Sequence, residues 1–111
     1  MGTKSSLIDG SSMKESLKLV RNLISSPENW CQGDLAKDKN GRPVHSTSLD
    51  AVQWCVVGAA CYIQTDASDV IFAMDRASRK LGYECCITLN NKSDHETVLK
   101  MIDMAIEGGD A

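Results

Sequence analysis

Three residue types in this chain could cooperate in thiol chemistry. A cysteine nucleophile needs a base to form the thiolate, and the base needs a group that orients it. Cys55 would supply the thiol, His95 the base, and Asn90 or Asn91 the orienting amide. This constellation predicts a small thiol-dependent hydrolase or transferase. In the competing interpretation Cys55 packs as a small apolar residue and His95 only helps to cap a helix.

The cysteines and histidines of the chain are potential metal ligands. Cys55 and Cys61 are separated by five residues, Cys85 and Cys86 are adjacent, and His45 stands alone, so the paired spacing of zinc sites is missing. We therefore expect neither a metal nor another cofactor. The five cysteines are odd in number and no signal peptide precedes them, which predicts free thiols in a reducing cytoplasm.

Charge and hydropathy restrict the classes of partner. The formal net charge is −3, and the basic clusters at 37–42 and 76–80 are each interrupted by acidic or neutral residues. We therefore expect no nucleic-acid partner. The longest apolar run, residues 51–63, is shorter than the roughly 20 residues that span a bilayer, so we expect no membrane span. The remaining partner class is another protein.

A polar hairpin is the predicted interaction face for such a partner. Asn40-Gly41 favours a tight primed turn, and Pro43 restricts any strand to a sheet edge. The hairpin would project its polar and basic residues from a compact body. These residues are Lys37, Asp38, Lys39, Asn40 and Arg42.

The element that must position Cys55 is the apolar stretch 50–63. It is apolar on every side except at Gln53, which predicts a central helix buried all round. Cys55 would then lie about two turns inside it, away from the helix N-terminus where reactive cysteines usually occur. Gly58 costs about 1 kcal/mol relative to alanine in a helix. It therefore predicts close approach of another backbone, or of the ring of Trp30 or Trp54; a small ligand over Gly58 is the alternative.

The remaining pattern predicts a mostly α (α+β) fold of about four helices around this central helix. Capping boxes begin at Ser12 and Ser93, and Gly82 ends a helix. The expected elements are a lead-in at 1–11, a helix at about 13–25, one turn at 26–30, a hairpin or short sheet at 33–45, a helix from 66 or 68 to 81, a possible strand at 83–89, a helix from about 93 to 108 and a tail at 109–111. Residues 12–108 would form one domain.

The order of several motifs resembles a small family from bacteria and their phages that is known only as a domain of unknown function. The most specific motif is Trp54-Cys55-Val56-Val57-Gly58-Ala59, preceded by Asp38-x-x-Gly41-Arg42-Pro43-Val44 and followed by His95-Glu96 at the start of a helix. The similarity extends over residues 13–107. At 89–91 this chain has Leu-Asn-Asn where the family pattern has Trp-Asn-Asp. The resemblance implies a compact cytoplasmic domain and supplies no activity.

These observations favour a non-catalytic accessory, interaction or regulatory module over the thiol enzyme. The preference rests on the small acidic composition and on the lack of a recognisable catalytic motif other than the one at Cys55.

Overall fold

The computed structural model describes residues 10–108, which form five α-helices and one two-stranded sheet. The elements are α1 (Gly10–Leu23), a 3-10 turn (Pro27–Asn29), β1 (Ala36–Lys37), β2 (Gln53–Trp54), α2 (Val56–Ile63), α3 (Ser68–Lys80), α4 (Cys86–Lys92) and α5 (His95–Gly108). The predicted mostly α architecture is confirmed. Residues 10 and 11 of the predicted lead-in belong to α1, and residues 1–9 and 109–111 lie outside the described part.

Helices α1, α3 and α5 build the core through apolar side chains at helical spacing. Their fully buried residues recur at helical spacing and pack the three helices against one another, and α1 and α3 also contact α2. They are Leu17 and Val20 in α1 with Ile24 directly after it, Val70 and Met74 in α3, and Val98, Met101 and Ile102 in α5. Gly82 ends α3 at φ +93°, as predicted. Asp94 caps α5, since its Oδ1 accepts the Thr97 N–H at 2.9 Å.

The central helix is shorter than predicted. Ala36 pairs with Trp54 and Lys37 with Gln53 in an antiparallel register, and Cys55 N–H donates to Leu35 O at 3.1 Å. The backbone of residues 53–55 is therefore hydrogen-bonded to β1 and to Leu35 instead of within a helix, and α2 begins only at Val56. It is also not buried on every side, because Tyr62 is 47% exposed.

Gly58 allows the backbone of Leu35 to approach α2 closely, which agrees with the prediction that another backbone lies against this glycine. A Cβ at this position would lie 1.9 Å from Leu35 O and 2.7 Å from Leu35 C. The neighbour is therefore the backbone of residue 35, and neither Trp30 nor Trp54 fills that space. The side chain of Trp54 instead donates from Nε1 to Ser46 O at 2.9 Å.

Residues 83–89 do not form the possible strand: the chain is helical from Cys86. The first N–H of α4 is satisfied across the fold, since Cys86 N–H donates to Asp75 Oδ1 of α3 at 2.8 Å. Cys86, Leu89 and Asn90 point inward at positions i, i+3 and i+4. This spacing is the helical signal that the β-forming composition of the segment obscured.

The predicted hairpin exists, but with a different turn. Gly41 N–H donates to Asp38 O and Asp38 N–H to Arg42 O, both at 2.9 Å. Only Gly41 has a positive φ, +82°, so Asn40 is outside the left-handed region that a primed turn would require. The pattern is a three-residue loop with glycine at its left-handed position. An isolated bridge between Lys37 and Pro43 closes the hairpin at the sheet edge.

Candidate functional site

Cys55 is the N-cap of α2 and is fully buried. Its exposed fraction is 0%, and Sγ accepts the Gly58 N–H at 3.3 Å. A helix N-terminus normally lowers a thiol pKa. Here burial raises the pKa of Cys55, because the loss of hydration outweighs the N–H groups of Gly58 and Val57, which lower it. The thiol is therefore protonated at neutral pH and out of contact with solvent.

His95 is the first residue of α5 and is half-buried beside the end of α1. Its Nε2 lies 2.7 Å from Ile24 O, which makes Nε2 the protonated nitrogen because a carbonyl can only accept. The imidazole ring also packs against the indole of Trp30 with 5.4 Å between the ring centroids. His95 thus joins α5 to the end of α1. No hydrogen bond links it to Cys55.

Asn90 is a fully buried hydrogen-bonding centre. Its Oδ1 accepts from Trp30 Nε1 at 2.8 Å and from Val56 N at 3.1 Å. Its Nδ2 donates to Cys31 O at 3.0 Å and to Asn91 Oδ1 at 3.1 Å. Every donor and acceptor of the amide is therefore used inside the protein. Asn90 caps the first N–H of α2 and fixes the segment around residues 30 and 31 against it.

Asn91 extends the same network to the protein surface. Its Oδ1 also accepts from Gly33 N at 2.9 Å. Gln32 adds bonds from Nε2 to Asn90 O at 3.0 Å and to Ser93 O at 2.9 Å. The structure thus brings Asn90, Asn91 and the helix end at Cys55 together, while His95 bonds to Ile24 O and contacts the ring of Trp30.

The remaining thiols have separate environments. Burial raises the pKa of Cys31 to about 11 and raises that of Cys86 well above its ordinary value. Cys85 is only partly buried, and a hydrogen bond with Thr88 Oγ1 lowers its pKa. All five cysteines are unpaired. Across residues 10–108, no three His, Cys, Asp or Glu side chains are grouped so that they could hold a metal ion.

A groove lies between the hairpin tip and the segment that follows residue 48. Its volume is about 400 Å³. The side chain of Leu49 projects completely into solvent there, at 103% exposure, and Val52 is 39% exposed. We call this the hairpin groove; it is lined by Asp38, Lys39, Asn40, Arg42, Leu49, Asp50 and Val52.

Asp38 organises the hairpin and contributes little free charge to the groove. Its Oδ1 accepts the N–H groups of Asn40 and Arg42, both at 2.9 Å. Arg42 Nε lies 3.6 Å from Oδ2. The Arg42 N–H is the main cause of the lowered pKa of Asp38. Lys39 and Asn40 remain exposed at the tip.

Sequence reasoning found the hairpin side of the groove and missed the other side. Val52 belongs to the stretch 50–63, for which a buried central helix is predicted, and Leu49 lies directly before that stretch. The signal that could have placed them at the surface is the polar run 45–48 directly before Leu49.

The fold and these sites define a small, mostly helical domain with a thiol buried at its centre and an exposed hairpin groove at its edge. The chain belongs to a family of unknown function, DUF6197, whose model matches residues 10–108. This confirms the resemblance to a family of unknown function that the sequence predicted. No curated protein and no solved structure matches the chain. None of the helices within residues 10–108 combines the length and the apolar character needed to cross a membrane.

Proposed function

We propose that this protein is a non-catalytic interaction module of the bacterial or phage cytoplasm that binds another protein through the hairpin groove. The observation that supports this most directly is the complete exposure of Leu49 beside Val52 in a groove with a charged rim. Burying a leucine or valine side chain that was exposed contributes about 1.5–3 kcal/mol. A partner that covers both residues therefore gains a strong apolar anchor.

The rim of the groove provides orientation for such a partner. Lys39, Arg42 and Asp50 are exposed around the two apolar side chains, an arrangement typical of an apolar centre within a polar rim. A stable interface buries roughly 800 Å² on each partner. The groove is accordingly the centre of the proposed contact, and the outer hairpin and the neighbouring loop extend it.

Two features support a non-catalytic role in a reducing compartment. The Cys55 thiol is buried and protonated, and His95 Nε2 is directed to the carbonyl of Ile24. The five unpaired thiols fit a cytoplasmic protein. The competing proposal is a thiol-dependent hydrolase or transferase with Cys55 as nucleophile and His95 as base. It is favoured by one observation, the position of Cys55 at the start of a helix.

Site-specific photo-crosslinking tests the interaction proposal. A benzophenone amino acid is placed at Leu49 and, as a matched control, at Leu19 of α1, which is 49% exposed. We expect discrete adducts in bacterial cells from position 49 and none from position 19, and we expect Leu49→Asp to prevent binding of the captured protein while Leu19→Asp does not. Equal adducts from both positions, or none from position 49, would contradict the proposal.

A further inference from the structure

A second exposed surface follows one side of α3. Phe72, Arg76 and Lys80 are spaced at i, i+4 and i+8 and so lie along one stripe of the helix, with Arg79 beside them. All four side chains are exposed, Phe72 at 57%. We call these four residues the basic face. It is formed by α3 alone and shares no residue with the hairpin groove.

Among residues 10–108, the three cations of the basic face have no carboxylate partner. Arg21 and Arg42 each form an ion pair, but in the part of the chain that is described no carboxylate oxygen lies within 4.0 Å of Arg76, Arg79 or Lys80. The chain has a net charge of −3, so the remainder carries −6 once these three cations are set aside. The face is therefore a basic patch on an acidic protein.

The local contacts of the basic face leave it open to a partner. The guanidinium of Arg76 lies 5.7 Å from the centre of the Phe72 ring, a cation–π contact. Arg79 Nη1 makes one long bond of 3.4 Å to the carbonyl of Glu84. The nearest carboxylate in sequence, Asp75, is directed to α4, where it accepts the Cys86 N–H.

Helix stability explains only part of this pattern. Arg79 and Lys80 lie in the last turn of α3, where cations interact favourably with the helix dipole. Arg76 lies before that turn, and an exposed phenylalanine has no such role. The aromatic ring and the cation over it therefore need another explanation.

We propose that the basic face docks an acidic segment of a partner protein, whose carboxylates pair with the three cations while an apolar side chain packs on Phe72. Carboxylates complement arginine in charge and in bidentate geometry. A nucleic acid is the less favoured occupant. Its phosphate backbone would extend beyond the three cations over the remainder of the protein, which carries −6 and repels it, whereas a short acidic segment fits within the face. This proposal is independent of the hairpin groove.

Fluorescence anisotropy with a model ligand tests it. The probe is a labelled peptide of about 15 residues that carries glutamate pairs around one leucine and one phenylalanine, and the control peptide has glutamine in place of glutamate. We expect the acidic peptide to bind about tenfold more tightly than the neutral one at roughly 50 mM salt. The combined change Arg76→Glu and Lys80→Glu should weaken binding about tenfold or more, and Phe72→Ala should weaken it by about threefold.

The matched control is Lys92→Glu with Lys100→Glu, the same change of net charge at two exposed lysines of α4 and α5 that belong neither to the basic face nor to the hairpin groove. We expect it to alter peptide affinity by less than about twofold. If both double variants lose the same affinity for the acidic peptide, the binding is non-specific charge attraction, and the proposal is overturned. Arg76→Gln with Lys80→Gln repeats the test without charge reversal, and circular dichroism verifies folding.

Two further titrations assign the occupant. Tighter binding of a DNA duplex than of the acidic peptide would overturn the proposal in favour of a nucleic acid. The second titration compares the Asp110→Asn variant with the wild type. If the variant binds the acidic peptide at least about threefold more tightly, residues 109–111 of the chain itself compete for the basic face, and this result would also overturn the proposal.

Discussion

Gly58→Ala should destabilise the protein even though alanine is the better helix former. Inside a helix, alanine would normally gain about 1 kcal/mol over glycine. Here the new Cβ would lie 1.9 Å from Leu35 O, whereas ordinary contact begins at 3.4 Å. The carbonyl would have to retreat by about 1.5 Å, the difference between these two distances, and it belongs to the backbone rather than to a flexible side chain.

The magnitude follows from what that retreat breaks. Leu35 O accepts the Cys55 N–H, and the next residue, Ala36, pairs with Trp54. Overpacking costs about 1–3 kcal/mol, and each buried hydrogen bond lost costs about 0.5–1.5 kcal/mol. The helical preference of alanine offsets about 1 kcal/mol of these costs. We therefore expect Gly58→Ala to lower the free energy of unfolding by about 2–3 kcal/mol.

Urea unfolding followed by circular dichroism and tryptophan fluorescence measures this loss. The matched control is Gly108→Ala, because Gly108 has a helical backbone with nothing within 4 Å of the new Cβ. We expect that control to change the free energy of unfolding by less than about 0.5 kcal/mol. A Gly58→Ala protein as stable as the wild type would refute the close-packing explanation and restore a ligand above Gly58 as the reason for the glycine.

Three further predictions concern the polar network, the thiols and a helix cap. Asn90→Ala should lower the free energy of unfolding by about 3–5 kcal/mol in urea, since it leaves several buried groups unpaired; a loss below about 1 kcal/mol would contradict its central role. Iodoacetamide should label Cys85 in the native protein, and the labelling rate should reach its plateau at a lower pH than for free cysteine because the pKa of Cys85 is lowered. Cys55 should react only on unfolding, because its thiol is buried. Labelling of Cys55 in the native protein would favour the thiol enzyme. The pKa of Asp94 is lowered by its hydrogen bond to Thr97, so its charge stabilises the fold above the ordinary carboxyl pKa and ceases to do so as the pH falls through the lowered value. The stability advantage of wild type over Asp94→Asn should therefore shrink as the pH is lowered from above the ordinary carboxyl pKa through the lowered pKa of Asp94, and an advantage independent of pH would contradict this reasoning.

The elements that could be predicted from sequence are those whose signals are local. Helix α3 has an apolar stripe that includes Val70 and Met74, and it ends at Gly82, which the backbone requires to be left-handed. Burial and capping of this kind depend on residues only a few positions apart. The predicted bounds of α3 therefore agree with the structure to within two residues.

The start of α2 and the identity of α4 depend on partners that are remote in sequence. Leu35 and Lys37 accept the N–H groups of Cys55 and Val52, and Asp75 accepts the first N–H of α4. No local pattern reveals such pairings. Local signals alone therefore predict one helix over residues 50–63 and a possible strand at 83–89, where the structure has β2 before α2 and the start of α4.

The candidate site was predicted as a set of residues but not as an arrangement. Asn90 is central in the structure, although it orients Trp30 and the start of α2 and makes no bond to His95. The spacing of residue types identifies groups capable of chemistry. Burial then decides whether a group such as Cys55 can use that chemistry, and burial depends on the whole fold.

The polar network around Asn90 has a consequence for folding kinetics. Its hydrogen bonds to Trp30, Cys31 and Val56 close sequence separations of 60, 59 and 34 residues. Because the chain entropy of these loops is lost before the bonds can form, the network should assemble late in folding. Changes at Asn90 should then accelerate unfolding far more than they slow folding. The buried amide of Asn90 would then control the lifetime of the native domain, through its unfolding rate, more than its folding rate.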